Sequence, residues 1–237
     1  MDKGKIWEEV PWNLKEAIGV LLIMFLSALA GSGLIHVCWP FLPLPQKYFL
    51  VEIFQFLGLI LGGYLLIGKR YRVSGRSLGL GNPSISLFFV GLRVGLILFL
   101  TVALLGFFLQ LFFPHQSLQP FAELLLKSRQ PEEILLLFLL AAFLAPLLEE
   151  LYFRGILFPA LSKRWGAGLG IVLSSLIFAL LHMDLARFLP LAVGGMGLAY
   201  VYWRTGNLWV AITAHATWNT TSMVLLCLAR DLLPGIG

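Results

Sequence analysis

The chain has 237 residues, 59% of them apolar and 12% charged, with a mean hydropathy of +0.90. Soluble domains run roughly 45–50% apolar and about 25% charged. The charge here is too sparse to cover a water-soluble surface, which excludes an ordinary soluble enzyme, a disordered chain and a nucleic-acid-binding module. The net charge of +5 sits largely in short stretches between apolar segments, the pattern of polytopic membrane proteins. Two cysteines, Cys38 and Cys227, rule out a disulfide scaffold and a Cys-based zinc cluster, and read as thiols buried in the membrane.

A spanning helix needs about 20 predominantly apolar residues. That ruler predicts an all-α, polytopic transmembrane helical bundle of about seven spans (possibly eight helices), forming a single integral membrane domain over residues 1–237. The first span runs from about Ile18 to Val37, the second from Tyr48 to Ile67, and the third from Ile85 to Phe113, long enough to require tilt. A fourth opens at Pro131-Glu132-Glu133, with Pro at the first helical position and acids in the first turn. It continues to about Leu161, with bends expected at Pro146, Gly155 and Pro159. The last three run from Ala167 to His182, from Phe188 to Trp203 and from Leu208 to Leu228.

Ala28-Leu29-Ala30 has the small-x-small form of a signal-peptide cleavage site. Apolar residues continue past Gly31, however, and the charged start is long, so the first segment reads as a span. With the N-terminus inside, the inner segments hold Lys3, Lys5, Lys15, Lys69, Arg70, Arg72, Arg76, Lys163, Arg164 and Arg204. The outer ones hold Lys47, Lys127, Arg129, Arg187 and Arg230. Ten against five favours a cytoplasmic N-terminus in a multi-pass protein of the cell membrane.

The informative residues are those that a membrane helix should not contain, since a charge at the bilayer centre costs about 2.5–3.5 kcal/mol or more. The fourth span carries Glu149, Glu150 and Arg154. Glu150 and Arg154 are four apart and share a face, so they can pair within the helix. Glu149 is rotated by about 100° and has no partner at helical spacing. A capped, kinked helix near the interface accounts for the pair but not for Glu149. The fifth span ends at His182, in one stripe with Phe178, Ser174, Gly170 and Gly166; the seventh carries His215 and Asn219 on one face. Each taken singly fits interhelical packing or glue.

Depth ties them together. Lys163-Arg164-Trp165-Gly166 reads as a turn, with Glu149 lying 16 residues before Trp165 and His182 17 after it. Antiparallel helices rising about 1.5 Å per residue therefore bring both to one level, about 25 Å from the turn. A carboxylate suits a general base, an imidazole can orient and help deprotonate water, and a second His with an Asn amide can donate to an oxyanion. Such a set can hydrolyse a carbonyl bond. Glu149, His182 and His215 could equally supply the Glu/His₂ ligands of a catalytic zinc, although those ligands would come from three helices. A proton-coupled transporter with a Glu149, His182 and Arg154 relay is the alternative of a different class, and no internal repeat of the transporter kind is visible.

Three ordered motifs resemble those of the CAAX protease and bacteriocin-processing family, the Abi group of intramembrane proteases. Glu149-Glu150-Leu151-Tyr152-Phe153-Arg154 is similar to its E-E-x-x-x-R, Phe178-Ala179-Leu180-Leu181-His182 to its F-x-x-x-H, and His215-Ala216-Thr217-Trp218-Asn219 to its H-x-x-x-N. Arg204-Thr205-Gly206-Asn207-Leu208-Trp209 and Ser77-Leu78-Gly79-Leu80 also resemble family segments, and the likeness covers about Pro131 to Leu228, a catalytic core. The resemblance implies an endopeptidase, glutamic-type and formerly classed as metallo-, in which Glu149 and His182 activate water. His215 and Asn219 would form the oxyanion hole, while Glu150, Arg154 and Phe178 support it. It implies membrane-associated protein or peptide substrates in the lipid bilayer, no nucleic acid, and no cofactor, with zinc as the alternative. Bacteriocin self-immunity is a further role found within the same fold.

Overall fold

The computed structural model describes residues 10–113 and 118–232, with the side chains of residues 231 and 232 excepted. Lys3 and Lys5, counted above for orientation, lie outside the described residues. The described residues form helices α1 (Leu14–Cys38), α2 (Leu44–Gly63), α3 (Ile85–Phe112), α4 (Pro120–Lys127), α5 (Pro131–Leu139), α6 (Ala145–Tyr152), α7 (Phe158–Leu181), α8 (Phe188–Thr205) and α9 (Leu208–Leu232). Every expected span has its helix. The short α4 was not anticipated from the sequence. It buries Leu125 and Leu126, the first packed with Leu137 and Met223, on two turns too short to register as a span.

Four continuous stretches are long and apolar enough to cross a membrane: Leu14–Cys38, Leu44–Tyr71, Ile85–Phe112 and Pro131–Leu181. The stretch Pro131–Leu181 holds both the fourth and the fifth expected spans, since the chain folds back at Gly166 within it, and the sixth and seventh expected spans are α8 and α9. Outward-facing Leu22, Phe25, Leu26 and Leu29 on α1, and Ile97, Leu100 and Leu104 on α3, remain exposed on the bundle surface. Exposed apolar residues in such rows suit a hydrocarbon solvent. The protein is a helical membrane bundle.

The two prolines inside the fourth stretch do not act as simple bends. Ahead of each, the helix loosens into π-geometry, over Leu140–Leu144 before Pro146 and over Phe153–Leu157 before Pro159. A proline has no N–H to give to the carbonyl four residues back, and a π-turn absorbs that gap by reaching one residue further. The stretch therefore stays helical from Pro131 until Gly166, which breaks the backbone at φ 81° and ψ 159°. This left-handed residue makes the turn expected at Lys163–Gly166. The chain then folds back on itself: Gly170 lies so close to Ser162 that a Cβ would stand 2.2 Å from its Oγ, and the rings of Phe153 and Phe178 meet edge to face at 5.1 Å.

Other helices close around this hairpin. Helix α3 presses its backbone onto α9, where a Cβ at Gly95 would lie 2.4 Å from Ala214 O, a small-residue approach of the membrane kind. Trp12, fully buried ahead of α1, donates from Nε1 to Ile156 O at 3.0 Å, and Lys163 Nζ donates to Val10 O at 2.9 Å. The Ser77–Leu80 segment docks where α8 meets α9. There Tyr202 donates its hydroxyl proton to Leu78 O at 3.0 Å, and Leu208 N–H donates to Gly79 O at 2.8 Å. Asn207 Oδ1 caps α9 by accepting from Trp209 N–H at 3.0 Å.

Candidate active site

Adjacent glutamates on α6 point about 100° apart, and the bundle gives each a different environment. Glu150 and Arg154 both have fully buried side chains. Arg154 Nη1 donates to Glu150 Oε1 at 2.9 Å, and Nη2 donates across the bundle to Gly195 O at 2.8 Å. The guanidinium also lies over the Phe178 ring, 4.8 Å from its centroid. Gly195 packs tightly here: a Cβ on it would stand 3.1 Å from Ser175 Cβ, 3.2 Å from Phe178 Cδ1 and 3.4 Å from Arg154 Nη2. Glu149 instead keeps 22% of its side chain accessible, and its Oε2 has no hydrogen-bond partner.

His215 connects the two carboxylates. Its Nδ1 lies 2.8 Å from Glu150 Oε1, which already accepts from Arg154, so the imidazole donates at that position. Its Nε2 then faces Glu149 Oε2 at 3.8 Å. His182 stands at the end of α7, with Nδ1 2.8 Å from the Phe178 carbonyl, a bond that fixes Nδ1–H and leaves Nε2 free. Such a carbonyl bond also suits a histidine that merely packs, yet here the other ring nitrogen remains available. Phe178 is the wedge among these groups, 4.6 Å from the His182 ring and 5.9 Å from that of His215.

Asn219 is held by the first π-segment. The Ala145 N–H reaches back to Leu140 O and Pro146 has no N–H, so Ala141 O is left without a donor from its own helix. Asn219 Nδ2 supplies one, at 2.9 Å. His215 and Asn219 thus share a face as expected, but each has one donor already committed, His215 to Glu150 and Asn219 to Ala141.

Glu149, Phe178, His182, His215 and Asn219 all line one cavity of about 630 Å³. The depth argument for Glu149 and His182 therefore leads to a shared chamber. Tyr48 and Glu52 of α2 and Arg187 at the head of α8 also line it. Sequence reasoning passed over Glu52, although a carboxylate is as anomalous inside the second span as inside the fourth. As ligands for zinc, Glu149, His182 and His215 fall short, since among the described residues no three His, Cys, Asp or Glu side chains gather around one point. The set as placed does not fit a metal ion.

A family model described as type II CAAX prenyl endopeptidase Rce1-like matches residues 131–221. The provisionally named membrane peptidase YdiL of Bacillus subtilis (strain 168) is 34% identical over 90 residues, 38% of this chain and 37% of that protein. An uncharacterized protein of Mycoplasma capricolum is 33% identical over 97 residues, 39% of this chain and 28% of its own length. The chain thus spans little more than a third of the first relative and less of the second. No solved structure matches it. The matched stretch carries all three motifs, with Glu149, Glu150, Arg154, His182, His215 and Asn219, and over it the chain is similar to type II CAAX prenyl endopeptidases.

Proposed function

We propose that this protein is an intramembrane endopeptidase that hydrolyses peptide bonds of membrane-associated proteins or peptides, with its N-terminal end on the cytoplasmic side. The observation that carries this reading is a carboxylate without a hydrogen-bond partner, Glu149 Oε2, facing His215 Nε2 at 3.8 Å in a chamber that His182 also lines. Water in that chamber finds two acceptors, the Glu149 carboxylate and His182 Nε2. Glu149 takes its proton as the oxygen attacks the substrate carbonyl. Doubly protonated, His215 donates from both ring nitrogens, to Glu150 and into the chamber, and Asn219 has a second amide hydrogen beyond the one held by Ala141. Those two donors are the candidates for the developing oxyanion. Glu150 and Arg154 orient His215 from behind, and no cofactor enters the scheme.

A transporter built on a Glu149, His182 and Arg154 relay fits less well, because Arg154 is fully buried and both of its terminal guanidinium nitrogens are committed, Nη1 to Glu150 and Nη2 to Gly195 O. The test is cleavage of membrane-anchored peptide substrates by the purified protein in detergent or liposomes. Glu149→Gln, which keeps the size and removes the base, should lower turnover by at least ~100-fold. Near wild-type turnover in that variant would overturn the assignment.

A further inference from the structure

Glu52 is the one carboxylate on the cavity wall that the scheme above leaves unused. It sits on α2, in the middle of an apolar stretch, one helical turn beyond Tyr48 on the same face, and both side chains line the chamber that holds Glu149. The other ionisable groups on that wall are Glu149 on α6, His182 at the end of α7, Arg187 at the start of α8 and His215 on α9. Arg187 is paired with Asp184 at 2.6 Å, and Glu149 has His215 within 3.8 Å. Glu52 has no hydrogen bond and no ion pair among the described residues. Two carboxylates face one chamber, and Glu52 is the one with no basic side chain paired to it.

The tautomers sharpen the point. Each histidine has Nδ1 committed as a donor, His182 to Phe178 O and His215 to Glu150; a neutral His182 then offers the chamber only an acceptor at Nε2, and the Nε2 proton of His215 is held for the oxyanion. A peptide bond breaks when its nitrogen gains a proton, and a neutral carboxylic acid supplies one.

Building on the proposed peptidase reading, we propose that Glu52 is the general acid of this site, holding a proton in the resting protein and delivering it to the departing amine. The steps balance. Water loses a proton to Glu149 while its oxygen bonds to the carbonyl carbon. The C–N bond then breaks as the nitrogen takes the proton of Glu52. Glu149 returns its proton to Glu52 through chamber water, and the net change is one water consumed for one acid and one amine released.

The experiment compares a peptide amide with an aryl ester of the same acyl group, because a phenolate leaves without needing a proton. Glu52→Gln should lower the amide-to-ester turnover ratio about 100-fold, within the usual range for general acid catalysis, and Glu52→Asp should restore part of it. An unchanged ratio overturns the proposal, whether both substrates slow together or neither does. Glu149→Gln should lose both substrates together, which separates failure of the acid from failure of the hydrolytic reading. If the wild type cleaves neither substrate, infrared difference spectra of the resting protein decide the matter for Glu52. A protonated-carboxyl band present in the wild type and in Glu149→Gln but lost in Glu52→Gln supports the assignment, and its absence from the wild type overturns it.

Discussion

Arg154→Ala tests the interior of the site more severely than any change at the chamber wall. The substitution removes a guanidinium with no accessible surface, its 2.9 Å bond to Glu150, its 2.8 Å bond to Gly195 O and its stacking on Phe178. What remains is worse than the loss itself. Glu150 keeps its charge in a buried place, with His215 as its single hydrogen-bond partner on Oε1 and none on Oε2. Breaking one partner of a buried pair costs about 3–5 kcal/mol, mostly for the stranded charge. For a chain of this length that corresponds to a fall of roughly 6–20 °C in the melting temperature. The assay is thermal unfolding of detergent-solubilised protein followed by tryptophan fluorescence. The control is the charge-free double replacement Glu150→Leu with Arg154→Met, which strands no ion and should recover most of the stability. It should not recover peptide hydrolysis, since His215 then has no acceptor at Nδ1. A single variant that melts with the wild type would show that the pair is hydrated, and would remove Glu150 as the orienting group of His215.

Three other outcomes follow from the same geometry. Glu149→Gln should abolish at least 99% of turnover, the ~100-fold loss of a general base, while melting within a few degrees of the wild type, because Glu149 Oε2 makes no hydrogen bond to lose; a large drop in melting temperature would make Glu149 structural. Prolonged chelation should leave peptide hydrolysis intact, whereas loss that is reversed by added zinc would make Glu149, His182 and His215 ligands. Pro146→Ala restores an N–H that can compete with Asn219 for Ala141 O. It should lower kcat roughly fivefold, the equivalent of one ordinary hydrogen bond of about 1 kcal/mol, and an unchanged kcat would show that the Ala141 anchor is idle.

Spacing along one helix was legible in the sequence because 3.6 residues per turn is a strong rule. It placed Glu150 with Arg154 and turned Glu149 away from both, and the structure shows that arrangement. The Lys163–Gly166 turn was legible as well, and with it the common level of Glu149 and His182, since length along a helix converts directly to depth. Partners contributed by other helices were not. Nothing local to His215 shows that Nδ1 belongs to Glu150, and nothing near Asn219 points to a carbonyl 78 residues away. Glu52 escaped for a different reason. Its neighbours at i+3 and i+4 are Gln55 and Phe56, neither of them a charge to pair with it and draw attention. The chamber becomes visible only once α2 is packed beside α6.

Pro146 and Pro159 show how one sequence feature serves both fold and site. Read alone they mark bends, and a bent helix would have moved Glu149 off the axis that sets its depth. Instead each defect is taken up by a π-segment that keeps the helix running. A π-turn also leaves backbone carbonyls without their usual N–H, and a carbonyl in a membrane must find a donor elsewhere. Ala141 O finds Asn219, and Ile156 O in the second π-segment accepts from Trp12, so a helix from the far side of the bundle and the segment preceding α1 are both bonded to the stretch that carries the acids. The segment from Ala145 to Tyr152, with Glu149 and Glu150 within it, is thereby held on both sides by bonds from other parts of the bundle. Glu150 and Arg154 are held on the inside of that clamp, and Glu149 is free to face the chamber because its neighbour is not.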